Sequence, residues 1–411
     1  MAANWRKAMN SGAGRQAWPR SAWSGSASAR SAAAASAARR NDPGGAPGAG
    51  SPRATADGLP DYSDQNAPQW LKWVWQRVSA RHVLVLLAVL AYPWFATPFF
   101  TFQIAGQALV LGLIALSLTL LAGYGGMVSL SQMTVAGVSA YMVAIFGTSA
   151  ETNISLGWPW WLAVFIAIGI ATLVATFIGW LSVRTEGIYT IMITLAIGVA
   201  FFYLAQQNYA VFNGFQGFSK VYPPVIAGLD LRSPMAYYYL ALFWALAGYF
   251  FVKYLIRAPF GIALQGIRDN PRRMNSLGFN VTAHRIAAHA LAGLIAAIAG
   301  ILLVWYTSLI SPGQVGTGAL INILIVAVLG GMRHPIGPFI GAIVFVLLQN
   351  FAIDLVDRER FNLVIGGVFL LIVLFSPDGL LGWWARIRRL QQSAGARAAA
   401  GGARTDREAA A

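Results

Sequence analysis

No cysteine occurs among the 411 residues, which excludes disulfides, thiolate metal sites and cysteine nucleophiles. Histidine is almost as scarce. His82, His284, His289 and His334 are scattered with no helical pair at metal-ligand spacing, and they read as helix-end or core residues. Charge is missing over long distances: sixty-nine residues between Arg81 and Glu151 pass without one charged side chain. No G-x-x-x-x-G-K-[ST] phosphate loop occurs, so any pumping energy must come from another subunit. No clustered carboxylates, metal ligands or nucleophile–base pairs fall at membrane depth, which argues against an integral membrane enzyme. Ion-driven carriers usually hold ionisable residues inside the bundle. Here Glu186 sits beside Arg184 in a short loop, Glu151 lies at a span end, and Asp378 lies in the turn Ser376-Pro377-Asp378-Gly379. A coupled proton has no evident seat, while sodium coupling through carbonyls and hydroxyls stays open.

What is present is apolar sequence: 57% hydrophobic residues against 10% charged. About 20 apolar residues carry a helix across a bilayer, so the chain reads as an all-α polytopic membrane protein. Ten candidate spans lie near 82–100, 104–122, 126–147, 158–182, 187–208, 235–256, 286–309, 318–332, 336–353 and 361–383. The third, eighth and ninth are interrupted by Gly125, Gly126, Gly330 and Gly331, and the eighth is short enough to be a half-helix or a broken one.

The net charge of +15 lies mostly in the two tails and one internal loop, which fits a cytoplasmic membrane face rather than nucleic acid. With both termini inside, ten spans place 25 of the 29 Lys and Arg residues on that side, leaving Lys220, Arg232, Arg358 and Arg360 outside. Without the long tails the short loops still divide eight to four. Ten spans split into five and five, which predicts two inverted repeats with the third span answering to the eighth.

The expected domains are a basic, disordered N-terminal tail (1–65), a transmembrane permease domain (66–385) and a disordered C-terminal tail (386–411). The N-terminal tail has the Arg- and Ser-rich composition of a transit peptide but no secretory core; a cytoplasmic tail, or sequence upstream of the true start, is the preferred reading. Within the permease domain, 257–285 is the distinctive polar segment. Gly261–Asp269 reads as a short helix. Asn270 then reads as an N-cap, Pro271 as first-turn residue and Gly278 as a stop, with Met274 and Leu277 on one face. Arg272 and Arg273 oppose the helix dipole, which points to an acidic partner; a basic helix resting on anionic lipid is the alternative.

Several motifs then stand in register. GYGGMVSLSQMTVAGVSAYMVAI (123–145) resembles the G-Y-x-G-x-x-S-L-G-H-x-x-F-x-G-x-G-A-Y signature of branched-chain amino acid ABC importer permeases. So do GIYTIMITLA (187–196), APFGIALQGIRDN (258–270), LGFNV (277–281) and ISPGQVGTGALINILIVAVLGGMRHPIGPFIGA (310–342). The resemblance covers roughly 80–385 and is most like the M-type subunit. It implies a vitamin B12-importer-like (type II) fold in a bacterial inner membrane, paired with an H-type permease, two ATPases that use ATP, and a periplasmic binding protein. No cofactor is implied for this chain itself, and no nucleic acid.

Carried onto this sequence, the resemblance makes Arg268, Asp269, Asn270, Arg272, Arg273, Leu277 and Gly278 candidate ATPase-coupling residues. Candidate path residues are Ser129, Ser131, Gln132 and Thr134 on the third span and Asn322 on the eighth; the alternative is that they form interhelical packing bonds. Gly123, Gly125, Gly126, Gly330 and Gly331 are expected to break helices. The chain departs from the family pattern at Ser131-Gln132, at Asn213–Ser219 and at Met332–Pro335. Those departures leave urea, short amides and aromatic acids open as alternative solutes. An ion-coupled carrier or channel acting alone is the remaining alternative.

Overall fold

The computed structural model describes residues 80–151, 154–185, 187–226, 228–355, 366–367, 370, 374 and 379–382. The expected tails, Glu186, Asp378 and almost all of the tenth candidate span lie outside the described residues. Everything below belongs to the unit that begins at Ala80.

Among the described residues, the helices longer than four residues are α1 (Ala80–Phe95), α2 (Phe100–Tyr124), α3 (Gln132–Phe146), α4 (Trp160–Ser182), α5 (Ile188–Gln207), α6 (Pro234–Arg257), α7 (Pro259–Asp269), α8 (Pro271–Ser276), α9 (Val281–Thr307), α10 (Thr317–Gly330) and α11 (Gly337–Leu355). Of these, α2, α4, α5, α6 and α9 are long and apolar enough to cross a membrane, and α3, α10 and most of α11 are shorter apolar helices. The protein is therefore a polytopic, helical membrane protein.

Local chemistry sets many of the ends. Ser233 caps α6 by accepting the Ala236 N–H, and Pro234 follows in the first turn, where its missing N–H costs nothing. Asn280 caps α9 by accepting the Ala283 N–H at 3.0 Å, and left-handed Ser308 ends it. Helix α7 starts at Pro259, two residues before the expected Gly261, for the same N-terminal proline reason. Helix α2 widens into π-helical turns at Phe100–Gly106 and Leu120–Tyr124.

The third span departs from expectation. Its apolar run begins at Gly126, but the helix begins only at Gln132. Gly126 has a positive φ of 68°, which turns the chain out of helical geometry. Residues 127–131 then enter the bundle in non-helical conformation.

Lipid tails are as apolar as leucine, so helix association in a membrane depends on close packing and interhelical hydrogen bonds. The central helices are α2 and α9, with 78% and 67% of their apolar windows buried, against 33%, 22% and 28% for α4, α5 and α6. Small residues permit the approach. Ala163, Ala167, Ala171, Ala175 and Gly179 form a buried stripe on α4. Opposite it on α9, a Cβ at Gly293 would overlap that of Ala175. Helix α3 meets α9 where a Cβ at Gly300 would strike the Ala136 carbonyl. The Ser139 hydroxyl donates to the Ala297 carbonyl at 2.8 Å beside it. On the far side of α9, the Tyr237 hydroxyl donates to the Leu302 carbonyl at 2.7 Å. Phe165, Leu173 and Phe177 of α4 point outward, as lipid-facing residues do.

Two short strand pairs tie the connections at one end. β1 (Phe218–Ser219) pairs antiparallel with β4 (Leu309–Ile310), and β2 (Val225–Ile226) with β3 (Leu229–Asp230). The first joins the α5–α6 connection to the α9–α10 connection.

Gly300→Leu is expected to wedge α3 from α9 and lower stability by about 1–3 kcal/mol. Gly169→Leu on α4, where a Cβ meets nothing within 4 Å, should leave the melting temperature in detergent unchanged. Equal melting temperatures for both variants would contradict this packing account.

Candidate functional site

The non-helical entry to α3 carries a buried polar cluster. Ser129, Ser131, Gln132 and Thr134 are all enclosed, none more than 2% exposed. Ser129 and Ser131 pair through their hydroxyls at 2.9 Å. The Ser117 hydroxyl of α2 lies 3.1 Å from Gln132 Oε1 and 2.6 Å from the Ile114 carbonyl, so its single proton serves both acceptors. From α5, Thr194 Oγ1 accepts the Leu130 N–H at 3.1 Å. The structure brings four of the five expected path residues together. The fifth, Asn322, is half-buried on α10. Ser117 and Thr194 also belong to the cluster. The α5 signal was present in the sequence as Thr190, Thr194 and Gly198, a four-residue repeat that marks one helical face.

The expected helix-breaking glycines converge on one end of the bundle. A Cβ at Gly123 would overlap the Met332 carbonyl, and one at Gly330 would overlap the Gly337 carbonyl. Gly331 has a φ of 98°, outside the reach of ordinary side chains. Gly125 closes the π-helical turn of α2, its N–H donating to the Leu120 carbonyl at 3.2 Å. The Tyr124 hydroxyl donates to the Arg333 carbonyl at 3.1 Å, binding the α2 end to the α10–α11 turn. In that turn, His334 Nδ1 accepts the Ile336 N–H at 3.2 Å. Partial desolvation, with the Lys253 ammonium nearby, holds the His334 imidazole below its usual range.

The hairpin α7–α8 grips this same end. Arg268 Nη1 donates to the Gly123 carbonyl at 2.7 Å. Its aliphatic stem crosses Gly126, where a Cβ would come within 2.6 Å of Arg268 Cγ. Asp269 holds the guanidinium from the other side, 2.9 Å from Nη2. The expected cap is in place: Asn270 Oδ1 accepts the Arg273 N–H at 3.0 Å, and Gly278 adopts a φ of 89° beyond α8. The expected shared face of Met274 and Leu277 is not found. Met274 packs onto Gly266 of α7, while Leu277, the C-cap residue whose N–H still donates to the Arg273 carbonyl at 3.1 Å, is 65% exposed. Arg272 and Arg273 are exposed. Between α8 and the start of α9 lies an open groove of about 590 Å³, lined by Arg272, Asn275, Phe279 and Asn280 among others.

A buried polar entry and an exposed basic hairpin are thus joined by one arginine. Comparison with known proteins identifies the setting. The family described as "Branched-chain amino acid transport system / permease component" matches residues 100–374. The chain belongs to the branched-chain amino acid transport permease family. It is 24% identical over 328 residues to the LivM permease protein of the high-affinity branched-chain amino acid transport system of Escherichia coli (strain K12), a match covering 74% of this chain and 75% of that protein. The LivH permease protein of the same organism is 25% identical over 293 residues, covering 66% and 90%. The ribose import permease protein RbsC of Haemophilus influenzae is 22% identical over 257 residues, covering 59% and 75%. No solved structure matches the chain. This permease is LivM-like, and its relatives are transport subunits rather than enzymes.

The lowered His334 value sets a pH dependence. Where the folded pKa lies below the unfolded one, the unfolded chain binds the extra proton, so stability falls as pH drops below about 6.5 towards the folded value. His334→Gln is expected to flatten that part of the melting-temperature profile. An unchanged slope would place the acid sensitivity elsewhere.

Proposed function

We propose that this permease is one of two membrane subunits of an ATP-driven importer for branched-chain amino acids, with 66–385 as its permease domain. An H-type permease is its counterpart, two ATPases supply the work, and a periplasmic binding protein delivers the solute. On this reading the chain sits in a bacterial inner membrane with both termini cytoplasmic. Ten spans form two inverted five-helix repeats similar to the vitamin B12-importer architecture. The short helices α3 and α10 occupy matching places in the two halves, each entered through a non-helical or 3₁₀ stretch, which supports the pairing of third span with eighth.

One observation carries the mechanism: the Arg268 hydrogen bond to the Gly123 carbonyl. In our reading an ATPase holds α7–α8 through Asn270, Arg272, Arg273 and the groove beside them. Any displacement of α7 then pulls on the α2 end. Gly125 and Gly126 let the backbone bend there, and the motion reaches Ser129, Ser131, Gln132 and Thr134, which line or border the path. The chain needs neither nucleotide nor cofactor of its own in this scheme, because work arrives mechanically. The Ser131-Gln132 and Asn213–Ser219 departures bear on which solute is preferred.

The test is uptake of labelled leucine into proteoliposomes holding the complete complex. ATP-dependent accumulation is expected. Arg268→Ala should retain ATP hydrolysis while uptake falls about tenfold or more, the scale of a lost charge-assisted hydrogen bond. Parallel loss of hydrolysis and uptake, or no change in either, would refute the proposed coupling through Arg268.

A further inference from the structure

One face of α3 is unfinished in its hydrogen bonding. Thr134 and Tyr141 lie two turns apart, about 10 Å along the axis, with Gly137 between them. Thr134 Oγ1 and the Tyr141 hydroxyl are both enclosed and lack a hydrogen-bond partner, on residues 1% and 0% exposed. Both lie beside α5, and the Tyr141 ring also meets Phe212 and Phe218 of the connection that follows it. Thr134 Oγ1 lies 3.0 Å from where a Gly198 Cβ would stand, and the Tyr141 ring meets Phe201 edge-on at 6.1 Å. Elsewhere on the same helix the hydroxyls are satisfied: Ser139 donates across to α9. On α3 itself the deficit is limited to Thr134 and Tyr141; off that helix, Thr172 Oγ1 of α4 and Gln314 Oε1 are also enclosed and without a partner.

The opposing wall is built to part. Helix α5 buries only Thr190, Thr194, Gly198 and Ala205, a narrow stripe of small and hydroxyl-bearing residues. Its other faces are large and exposed, including Ile188, Met192, Tyr203 and Leu204. It is the least buried of the five long spans. The seam is completed by the 3₁₀ turn at Pro312–Val315, whose Val315 side chain a Cβ at Gly137 would overlap, and by Leu320 of α10 against Gly198. A buried polar group without a partner costs about 1–3 kcal/mol. Two beside the least buried of the five long spans are accounted for if another conformation supplies the missing partner.

We propose that α5 draws away from α3 during transport, that the solute enters the seam so opened, and that the Thr134 and Tyr141 hydroxyls hydrogen-bond it at two successive stations. This rests on the importer reading above. The lining chemistry sets the class of solute. Hydroxyls offer neutral hydrogen bonds, and Phe201, Phe212 and Phe218 surround Tyr141 edge-on. A small molecule with hydrogen-bonding groups and an apolar portion fits that lining.

This chain contains no cysteine, so a thiol introduced into it is read against the same complex carrying the unaltered chain. Thr134→Cys, Tyr141→Cys and, as a control, Ser139→Cys are each placed in the full complex in proteoliposomes and exposed to a small water-soluble thiol reagent. During ATP turnover, Cys at 134 and 141 should react at least about tenfold faster than at 139, and leucine should slow both. Equally slow labelling at all three positions would overturn the proposal, provided leucine uptake proceeds in the same vesicles; so would labelling that leucine does not slow. If the unaltered complex takes up no leucine, the importer reading fails together with this inference. A second variant separates contact from structure. Tyr141→Phe removes only an unpartnered hydroxyl, so the melting temperature should hold while the KM for leucine rises roughly three- to tenfold. An unchanged KM would contradict a contact at Tyr141.

Discussion

Close backbone approach at small residues is the constraint on which this bundle depends. Water drives apolar helices together in soluble proteins, but the bilayer offers no such force between them. Helix α9 therefore meets its neighbours where side chains are least in the way: Gly293 against Ala175, and Gly300 against the Ala136 carbonyl. Hydrogen bonds to backbone carbonyls from Ser139 and Tyr237 fix the register at those crossings. Geometry this tight transmits displacement, since packed interfaces shift between discrete arrangements and do not deform smoothly.

The same economy of side chain governs the functional end. Gly123, Gly126, Gly330 and Gly331 sit where a Cβ or an ordinary φ cannot, so the α2 end and the α10–α11 turn pack backbone to backbone. Arg268 reaches into this region from α7 and is held at its other edge by Asp269. The arrangement links an exposed, cationic hairpin to a buried polar entry through one side chain. Stiff α2–α9 packing on one side and the thinly attached α5 on the other give that link something to move and something to move it against.

Features set by local chemistry were legible in the sequence. The Asn270–Pro271 start, the Gly278 turn and the long apolar spans all follow from capping, backbone freedom and hydropathy within a few residues. The entry to α3 was legible only in part: Gly125 and Gly126 marked a break, but Met127, Val128 and Leu130 continue the apolar run, so periodicity could not place the helix start at Gln132. Leu277 sits at the C-cap of α8, where helical spacing from Met274 does not by itself secure a buried face. The Arg268–Gly123 bond joins positions 145 residues apart, so no local pattern could announce it. Thr190 and Thr194 were available as a four-residue repeat.

The spans carry almost no ionisable side chains in sequence, and the arginine link gives an outside subunit a point of purchase. Together these make the bundle a gate that does no work by itself. Solute accumulation by this chain alone, reconstituted in proteoliposomes under imposed proton and sodium gradients, tests that claim most directly. The account predicts no uphill accumulation under either gradient. Accumulation above the external concentration in the absence of any ATPase would contradict it.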